Sequence, residues 1–365
     1  MQIDSLNLKN FRNYDSLSIS FDSKMNIIYG ENGQGKTNIL ESIYMSSFGK
    51  SHKGSHERDI IKTGCEEAHI RSEFSGEYGK SRVDIHLKKN KDKGIALNQI
   101  PLKKISELYG KISVVIFSAE DLDIIKRGPS DRRDFLDMEI CQIDHIYMEN
   151  LINYNKLLKQ RRELFKKLEE EESNADLTDT LDIWDLQLCR YASLIIKRRK
   201  QFINEINKII PRIYKNITSG NDNLQIIYEP STKEEDMYEM LLKNRERDKI
   251  LKQTSVGPHR DDFSFFEGKT DMKVYGSGGQ QRTCALTLKL SEIDLIKDQK
   301  KEKPVLLLDD VLSELDRKRQ ERLFESLNDV QTLITCTGLD EFVEGEFKEA
   351  SKFYIKNASV EQRYC

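Results

Sequence analysis

The sequence lacks the features that would place it in a membrane, outside the cell or around a structural zinc ion. No apolar run approaches the roughly 18 residues that a membrane-spanning helix needs. Met1 to Asn10 alternates apolar and polar residues, as a strand does, and shows no charged-then-apolar export pattern. A cytoplasmic protein with no membrane partner is expected. The six cysteines (Cys65, Cys141, Cys189, Cys284, Cys336 and Cys365) lie far apart and never form C-x-x-C. Their spacing argues against a zinc site, and the expected compartment argues against disulfides. Internal repeats, low-complexity tracts and an N-K-x-D guanine reader are also missing. The net charge of -3 is too small to indicate a nucleic-acid partner by itself.

What is present is a soluble composition, 33% charged and 37% hydrophobic, in 365 residues. On a scale of roughly 150 residues per domain, the chain has room for two. Strand-like segments open it at Ile3 to Leu8, Leu17 to Phe21 and Asn26 to Tyr29, followed by Ala68 to Phe74, Arg82 to Leu87 and Ser113 to Phe117. After Gly128-Pro129 the sequence turns helical and charge-rich until about Gly220. There Leu151, Tyr154, Leu158, Phe165 and Leu168 keep a heptad-like spacing. Leu181, Trp184, Leu188, Tyr191, Ile195 and Phe202 repeat it after the acidic turn Glu169 to Asn174. Two helices of a hairpin are predicted, of roughly 40 residues and at most about 60 Å each. A packed bundle needs the same stripes as a free coiled coil, so both readings stand. Strand patterning returns at Leu224 to Tyr228 and Asp262 to Phe266, and the runs Val305 to Leu308 and Leu333 to Thr335 suit a buried parallel sheet. The expected organisation is α/β, with residues 1–127 and 255–365 forming one head domain and residues 128–254 a helical insertion.

Three motifs carry chemistry. Gly30-Glu31-Asn32-Gly33-Gln34-Gly35-Lys36-Thr37 matches the phosphate-loop pattern, after a predicted strand and before a helix beginning near Thr37. Its glycines turn backbone N–H groups toward phosphates, Lys36 bridges the β- and γ-phosphates, and Thr37 ligates Mg²⁺. Val305 to Asp310 reads as a buried strand ending in two carboxylates, Asp309 for the magnesium shell and Asp310 for the attacking water. Ser277-Gly278-Gly279-Gln280 opens a helix and forms a second anion cradle. A chain with its own phosphate loop uses a second cradle best on a partner's nucleotide. Taken alone, the serine-glycine turn would be read as a helix cap.

The order of these motifs, with Ser313-Glu314-Leu315-Asp316 following, resembles the ABC-type ATPase heads of the SMC superfamily. Within it the chain is similar to the RecF family of bacterial recombination mediators. That likeness rests on Leu8 to Tyr14, Phe117 to Leu122, Arg132 to Asp137, Gly257 to Asp262 and Gly279 to Arg282. It spans nearly the whole chain. The resemblance implies a weak ATPase using ATP and Mg²⁺, dimeric with ATP, that binds duplex DNA or gap junctions. With RecO and RecR, such a protein helps load RecA at single-strand gaps and stalled forks in repair, replication and the SOS response. It also implies that Lys36 and Asp310 serve catalysis, that Arg12, Asn13 and Asn38 lie by the nucleotide, and that Ser277 acts across the dimer. The chain departs from the pattern in two places: Thr337 stands where many ABC ATPases have a switch histidine, and Glu120 is the candidate for a missing lid glutamine.

A DNA surface is expected from Arg190 to Lys215, which holds eight Lys or Arg residues and one acid, Glu205. Lys197, Arg198, Arg199 and Lys200 are its core, with Lys88-Lys89-Asn90-Lys91 a weaker second candidate. The competing reading is a solvated helix face. No aromatics interleave these cations, which favours duplex backbone over single strands. An alternative function, an SMC-like structural DNA tether, would need longer arms and a hinge or zinc hook. A kinase or GTPase would leave Ser277 to Gln280 unexplained.

Overall fold

The computed structural model describes every residue except 78, 171–174, 219–222, 326, 328, 339–349 and 365. Part of the acidic turn, Glu171 to Asn174, together with Gly220 and Cys365, lies outside the described residues. The chain divides into two compact units: Met1–Asp121 with Asn216–Ser219 and Leu286–Cys365, and Leu122–Lys215 with Gly220–Ala285. In chain order the first unit opens with β1 (Gln2–Phe11), β2 (Tyr14–Ser20), β3 (Met25–Tyr29), α1 (Lys36–Phe48) and α2 (Glu57–Ile60). It continues through β4 (Glu67–Gly76), β5 (Gly79–Lys88), β6 (Lys91–Leu97), β7 (Ile100–Pro101) and β8 (Val114–Phe117). The second unit contributes α3 (Asp123–Lys126), α4 (Pro129–Ile143), α5 (His145–Glu170), α6 (Ala175–Thr218), β9 (Leu224–Glu229), α7 (Met237–Leu251), β10 (Asp262–Glu267) and β11 (Thr270–Asp271). Helix α8 (Gly278–Lys300) leads back to the first unit, followed by β12 (Val305–Asp309), α9 (Arg317–Glu325), β13 (Thr332–Cys336), β14 (Ser351–Lys356) and β15 (Ser359–Tyr364).

Two six-stranded sheets build the first unit. One is antiparallel, in the order β2-β1-β4-β5-β6-β7. The other runs β15-β14-β3-β13-β12-β8, parallel throughout except for the edge strand β15. Its strands β8, β12 and β13 are buried at every residue, as a parallel sheet covered on both faces requires. Helix α1 touches strands of both sheets, which explains why it is buried nearly all round rather than on one stripe. The serines that this burial strands find partners: Ser46 Oγ meets Ser72 Oγ at 2.7 Å, and Ser47 Oγ donates to the Ile112 carbonyl at 2.6 Å.

In the second unit, β10 pairs antiparallel with β9 and β11, so residues on both sides of position 254 share one sheet. The structure therefore draws its dividing line elsewhere than the sequence-based boundary, and Ser277 to Gln280 falls in the same unit as most of the helical segment. The hairpin helices are unequal, 26 residues in α5 and 44 in α6, where about 40 each were predicted. They form a packed bundle. Arg161 of α5, fully buried, pairs with Asp185 of α6 and Asp248 of α7, each at 2.7 Å, and lies 4.6 Å over the Phe165 ring. A free two-helix coiled coil has no third helix to supply Asp248.

A second buried cation organises the same unit. Arg199 of α6 donates to Tyr147 Oη at 2.9 Å and the Pro258 carbonyl at 2.6 Å. It also pairs with Asp137 at 2.7 Å and Asp261 at 3.2 Å. Tyr228 donates to Asp261 as well. Arg132 forks onto Asp262 at 2.5 and 2.9 Å. Tyr154 Oη donates to His259 Nδ1 at 2.6 Å, while His259 Nε2 donates to the Thr254 carbonyl at 2.8 Å. The segments Arg132 to Asp137 and Gly257 to Asp262 are thus the internal bracing of this unit.

Candidate nucleotide-binding site

Strand β3 ends at Tyr29 and delivers the chain into the glycine-rich loop, and α1 starts at Lys36, one residue earlier than predicted. Gly30 must be glycine: its φ is 148°, and a Cβ there would lie 2.3 Å from the Ile355 carbonyl oxygen of β14. The loop is anchored from outside by the motif around Asn13. Asn13 Nδ2 donates to the Gln34 carbonyl at 3.1 Å, Asn38 Nδ2 donates to Asn13 Oδ1 at 2.8 Å, and the Tyr14 hydroxyl donates to the Gly35 carbonyl at 3.1 Å. The Asn357 N–H donates to Gln34 Oε1 at 2.7 Å. Lys36 is buried with its ammonium donating to the carbonyls of Gly30 at 2.7 Å and Glu31 at 2.9 Å. Burial lowers its pKa, against the opposing pull of Asp310, Cys336 and Asp309.

The predicted magnesium residues meet where the first turn of α1 faces the end of β12. Thr37 Oγ1 donates to Asp309 Oδ1 at 2.7 Å, and Thr335 Oγ1 donates to the same oxygen at 2.7 Å. A hydroxyl and a carboxylate at this separation are close to the roughly 2.9 Å edge of an octahedron with 2.0–2.1 Å bonds, so the pair fits a small hard cation such as Mg²⁺. Asp310 follows in the left-handed region with φ 56°, exposed, its N–H held by Thr335 Oγ1 at 2.9 Å. Partial loss of hydration raises its pKa; Lys36 pulls it back and Asp309 pushes it up again. A carboxylate poised upward is a better proton acceptor.

Arg12, expected beside the nucleotide, is engaged by α1 and the segment that follows it. Its guanidinium forks onto buried Glu41 of α1 at 2.8 and 2.5 Å and also donates to Ser55 and the Asp59 carbonyl. Burial alone would raise the Glu41 pKa, but hydrogen bonds from Arg12 and Ser51 carry it below the ordinary value. Glu120 is exposed, in a short helical turn after β8. Sequence reasoning passed over Tyr14, Glu41 and His52. Both ring nitrogens of His52 are buried without a hydrogen-bond partner, its ring stands edge-on to Tyr44, and it feels the charges of Glu41, Glu120 and Asp309. The signal available for Tyr14 was its place in the segment Leu8 to Tyr14.

In the second unit, Ser277 and Gln280 cap α8 reciprocally: the Ser277 N–H donates to Gln280 Oε1 at 2.9 Å, and the Gln280 N–H donates to Ser277 Oγ at 3.3 Å. Gln280 Nε2 donates to Glu267 at 3.1 Å. Ser277 and Gly278 are exposed, and a Cβ on Gly278 would meet nothing within 4 Å.

The cationic helix resolves into two faces. Lys197 and Lys200 are exposed, Arg198 pairs with Asp144 at 2.7 Å, and Arg199 is inside. At about 100° per residue, Arg190, Lys200, Lys208, Arg212 and Lys215 all fall within about 60° of the line through Lys197. All six of these cations are exposed.

A loop of this kind between β3 and α1, and a β12 strand ending in paired carboxylates, define a class of ATPase head. The RecF/RecN/SMC N terminal domain family matches residues 2–360, and the chain belongs to it. Within that class it is a RecF-family chain. It is 51% identical over 362 residues to the DNA replication and repair protein RecF of Lachnoclostridium phytofermentans, covering 99% of this chain and 100% of that one. It is 53% identical to the protein of the same description from Agathobacter rectalis, covering 99% of each. Among solved structures, that of the recombination mediator protein RecF-ATP in the RecFOR pathway superposes with a TM-score of 0.92 at 35% identity, over 100% of this chain and 98% of that one. A Pyrococcus furiosus Smc head domain shares the fold at 17% identity, with a TM-score of 0.58 over 100% of this chain and 96% of that one. Among the described residues, no helix is long and apolar enough to cross a membrane.

Proposed function

We propose that the chain is an ATP-controlled DNA-binding recombination mediator whose nucleotide sites are completed by a second copy. Gly30 to Thr37 of one copy cradles the triphosphate, and Ser277 to Gln280 of the other closes over it. The observation that carries this reading is Gly278: exposed and surrounded by open space, it has no steric need to be glycine within its own chain. A glycine there leaves room for an outside group to approach the helix N-terminus. The solved RecF-ATP relative supports ATP as the nucleotide.

Bound Mg²⁺ would supply charge neutralisation of the phosphate oxygens. Thr37 and Asp309 hold its place, and Lys36 exchanges its contacts with the Gly30 and Glu31 carbonyls for phosphate oxygens. Asp310 orients water and accepts its proton. With aspartate in that role and Thr337 rather than histidine beyond β13, hydrolysis is slow and acts as a timer for dissociation. The exposed stripe of α6 lies along duplex phosphates, with RecO, RecR and RecA as the expected partners of the pathway. This reading is favoured over a structural tether because the helical segment is a packed bundle rather than an extended arm.

Equilibrium sedimentation tests it. Asp310→Asn protein should be a dimer with ATP and a monomer without it, whereas Ser277→Arg should stay monomeric in both. A wild-type monomer at saturating ATP would overturn the proposal.

A further inference from the structure

Outside the nucleotide site, the face of the antiparallel sheet brings together a carboxylate and two imidazoles that none of the chemistry above uses. Glu67 and His69 lie two residues apart on β4 and so project to the same side, while their neighbours Ala68 and Ile70 are buried on the other. His86 of β5 stands directly across from His69 in the register of the pair. The two rings stack, with centroids 4.0 Å apart and planes at 22°. Glu67 reaches both: its Oε2 is 3.0 Å from His86 Nε2 and its Oε1 is 3.7 Å from His69 Nε2. One donor atom from each of the three residues lies within 4.8 Å of the others.

We propose that Glu67, His69 and His86 form a Zn²⁺ site. The edge of a tetrahedron with bonds of 2.0–2.1 Å is roughly 3.3 Å, and each imidazole lies near that distance from one of the two Glu67 oxygens, 3.0 Å for His86 and 3.7 Å for His69. Two imidazoles and one carboxylate are a donor set suited to zinc, and three protein ligands leave a fourth position for water or an incoming group. That position is reachable, because His69 and His86 line an open groove with Asn7, Lys9 and Arg71. The strand pairing fixes all three backbones, so only side-chain rotation separates the observed geometry from a ligating one. Lys88 Nζ, 3.6 Å from Glu67, is the competing cation. Zinc on Glu67 displaces it and leaves an unpaired ammonium next to the Lys89-Asn90-Lys91 turn. Metal binding thereby raises the positive charge at this end of the sheet.

The test uses full-length protein freed of metal with a chelator. Calorimetric titration with ZnCl₂ should give one site per chain that is weakened about tenfold or more in the His69→Ala/His86→Ala double variant. Absorption titration with CoCl₂ should show a spectrum without a thiolate charge-transfer band, which separates this site from cysteine binding. Both positions are on the half-exposed outer face, so zinc-free thermal unfolding of the variant should match wild type and confirm that it folds. No zinc binding by wild type, undiminished binding by the double variant, or a thiolate band on the titrated site would overturn the assignment.

Discussion

Arg199 pairs with Asp137 at 2.7 Å while 99% of its own surface is out of contact with solvent. Asp261, fully buried, accepts from the same guanidinium at 3.2 Å, so removing the cation strands one carboxylate in the interior and loosens another. Losing one partner of such a buried pair costs about 3–5 kcal/mol, whereas an exposed charge change stays within about 0.5 kcal/mol. Arg199→Met should therefore unfold at a markedly lower urea concentration than wild type, and Lys200→Glu should not. Equal midpoints for the two variants would contradict the placement of Arg199.

The same helix shows what was legible in the sequence and what was not. The cluster at 197–200 drew attention as a block of four cations. Yet Arg199 comes four residues after Ile195 and three before Phe202, on the stripe already read as apolar. Letting the 3.6-residue period overrule the charge would have put it inside. The phosphate loop and the Asp309-Asp310 strand end were readable because their chemistry is local: a fixed spacing after a strand. Arg12 was legible within its motif but its pairing with Glu41 was not, since that partner is 29 residues away and carries no motif. Strand β14 alternates Ser351, Phe353 and Ile355 inward, but only its pairing with β3 gives that pattern meaning. The β9–β10 pairing was not legible for a similar reason, as it joins segments more than 30 residues apart.

On the α6 stripe proposed to face DNA, replacing Lys197, Lys200 and Lys208 by Glu should lower duplex affinity. It should also flatten the slope of log K against log salt by about 2 to 3, from the roughly 0.9 per phosphate contact expected for B-DNA. Arg198, paired with Asp144, should contribute less when substituted alone. Fluorescence anisotropy across a salt series measures both. An unchanged slope would make the stripe a solvated surface.

Asp310 and Thr37 should separate hydrolysis from binding. Asp310→Asn should retain ATP and Mg²⁺ while single-turnover hydrolysis falls about 100-fold or more, the scale of a lost general base. Thr37→Val, which removes the hydroxyl 2.7 Å from Asp309, should instead weaken the Mg²⁺ dependence of ATP binding. A normal rate in Asp310→Asn would move the proton acceptor elsewhere.

His259 makes stability depend on pH. Burial lowers its pKa from 6.5 to about 4. Between those values the unfolded chain holds a proton that the folded chain refuses, so stability is fully present above about pH 6.5 and declines as pH falls toward 4. The slope attributable to this residue is at most about 1.4 kcal/mol per pH unit. Urea unfolding of wild type and His259→Gln from pH 7.5 to 4.5 should show the two converging as the solution is acidified. Parallel curves would exclude His259 as the source.

The contact between Gly30 and the Ile355 carbonyl also bears on synthesis at the ribosome. Strand β3, which aims the phosphate loop, sits between β13 and β14, and so between residues that are translated about 300 or more positions later. A nascent chain can display the whole glycine motif and still lack the two strands that hold it in shape. Capacity to bind nucleotide should therefore arrive late in translation, and prematurely terminated fragments would carry the motif without competing for ATP.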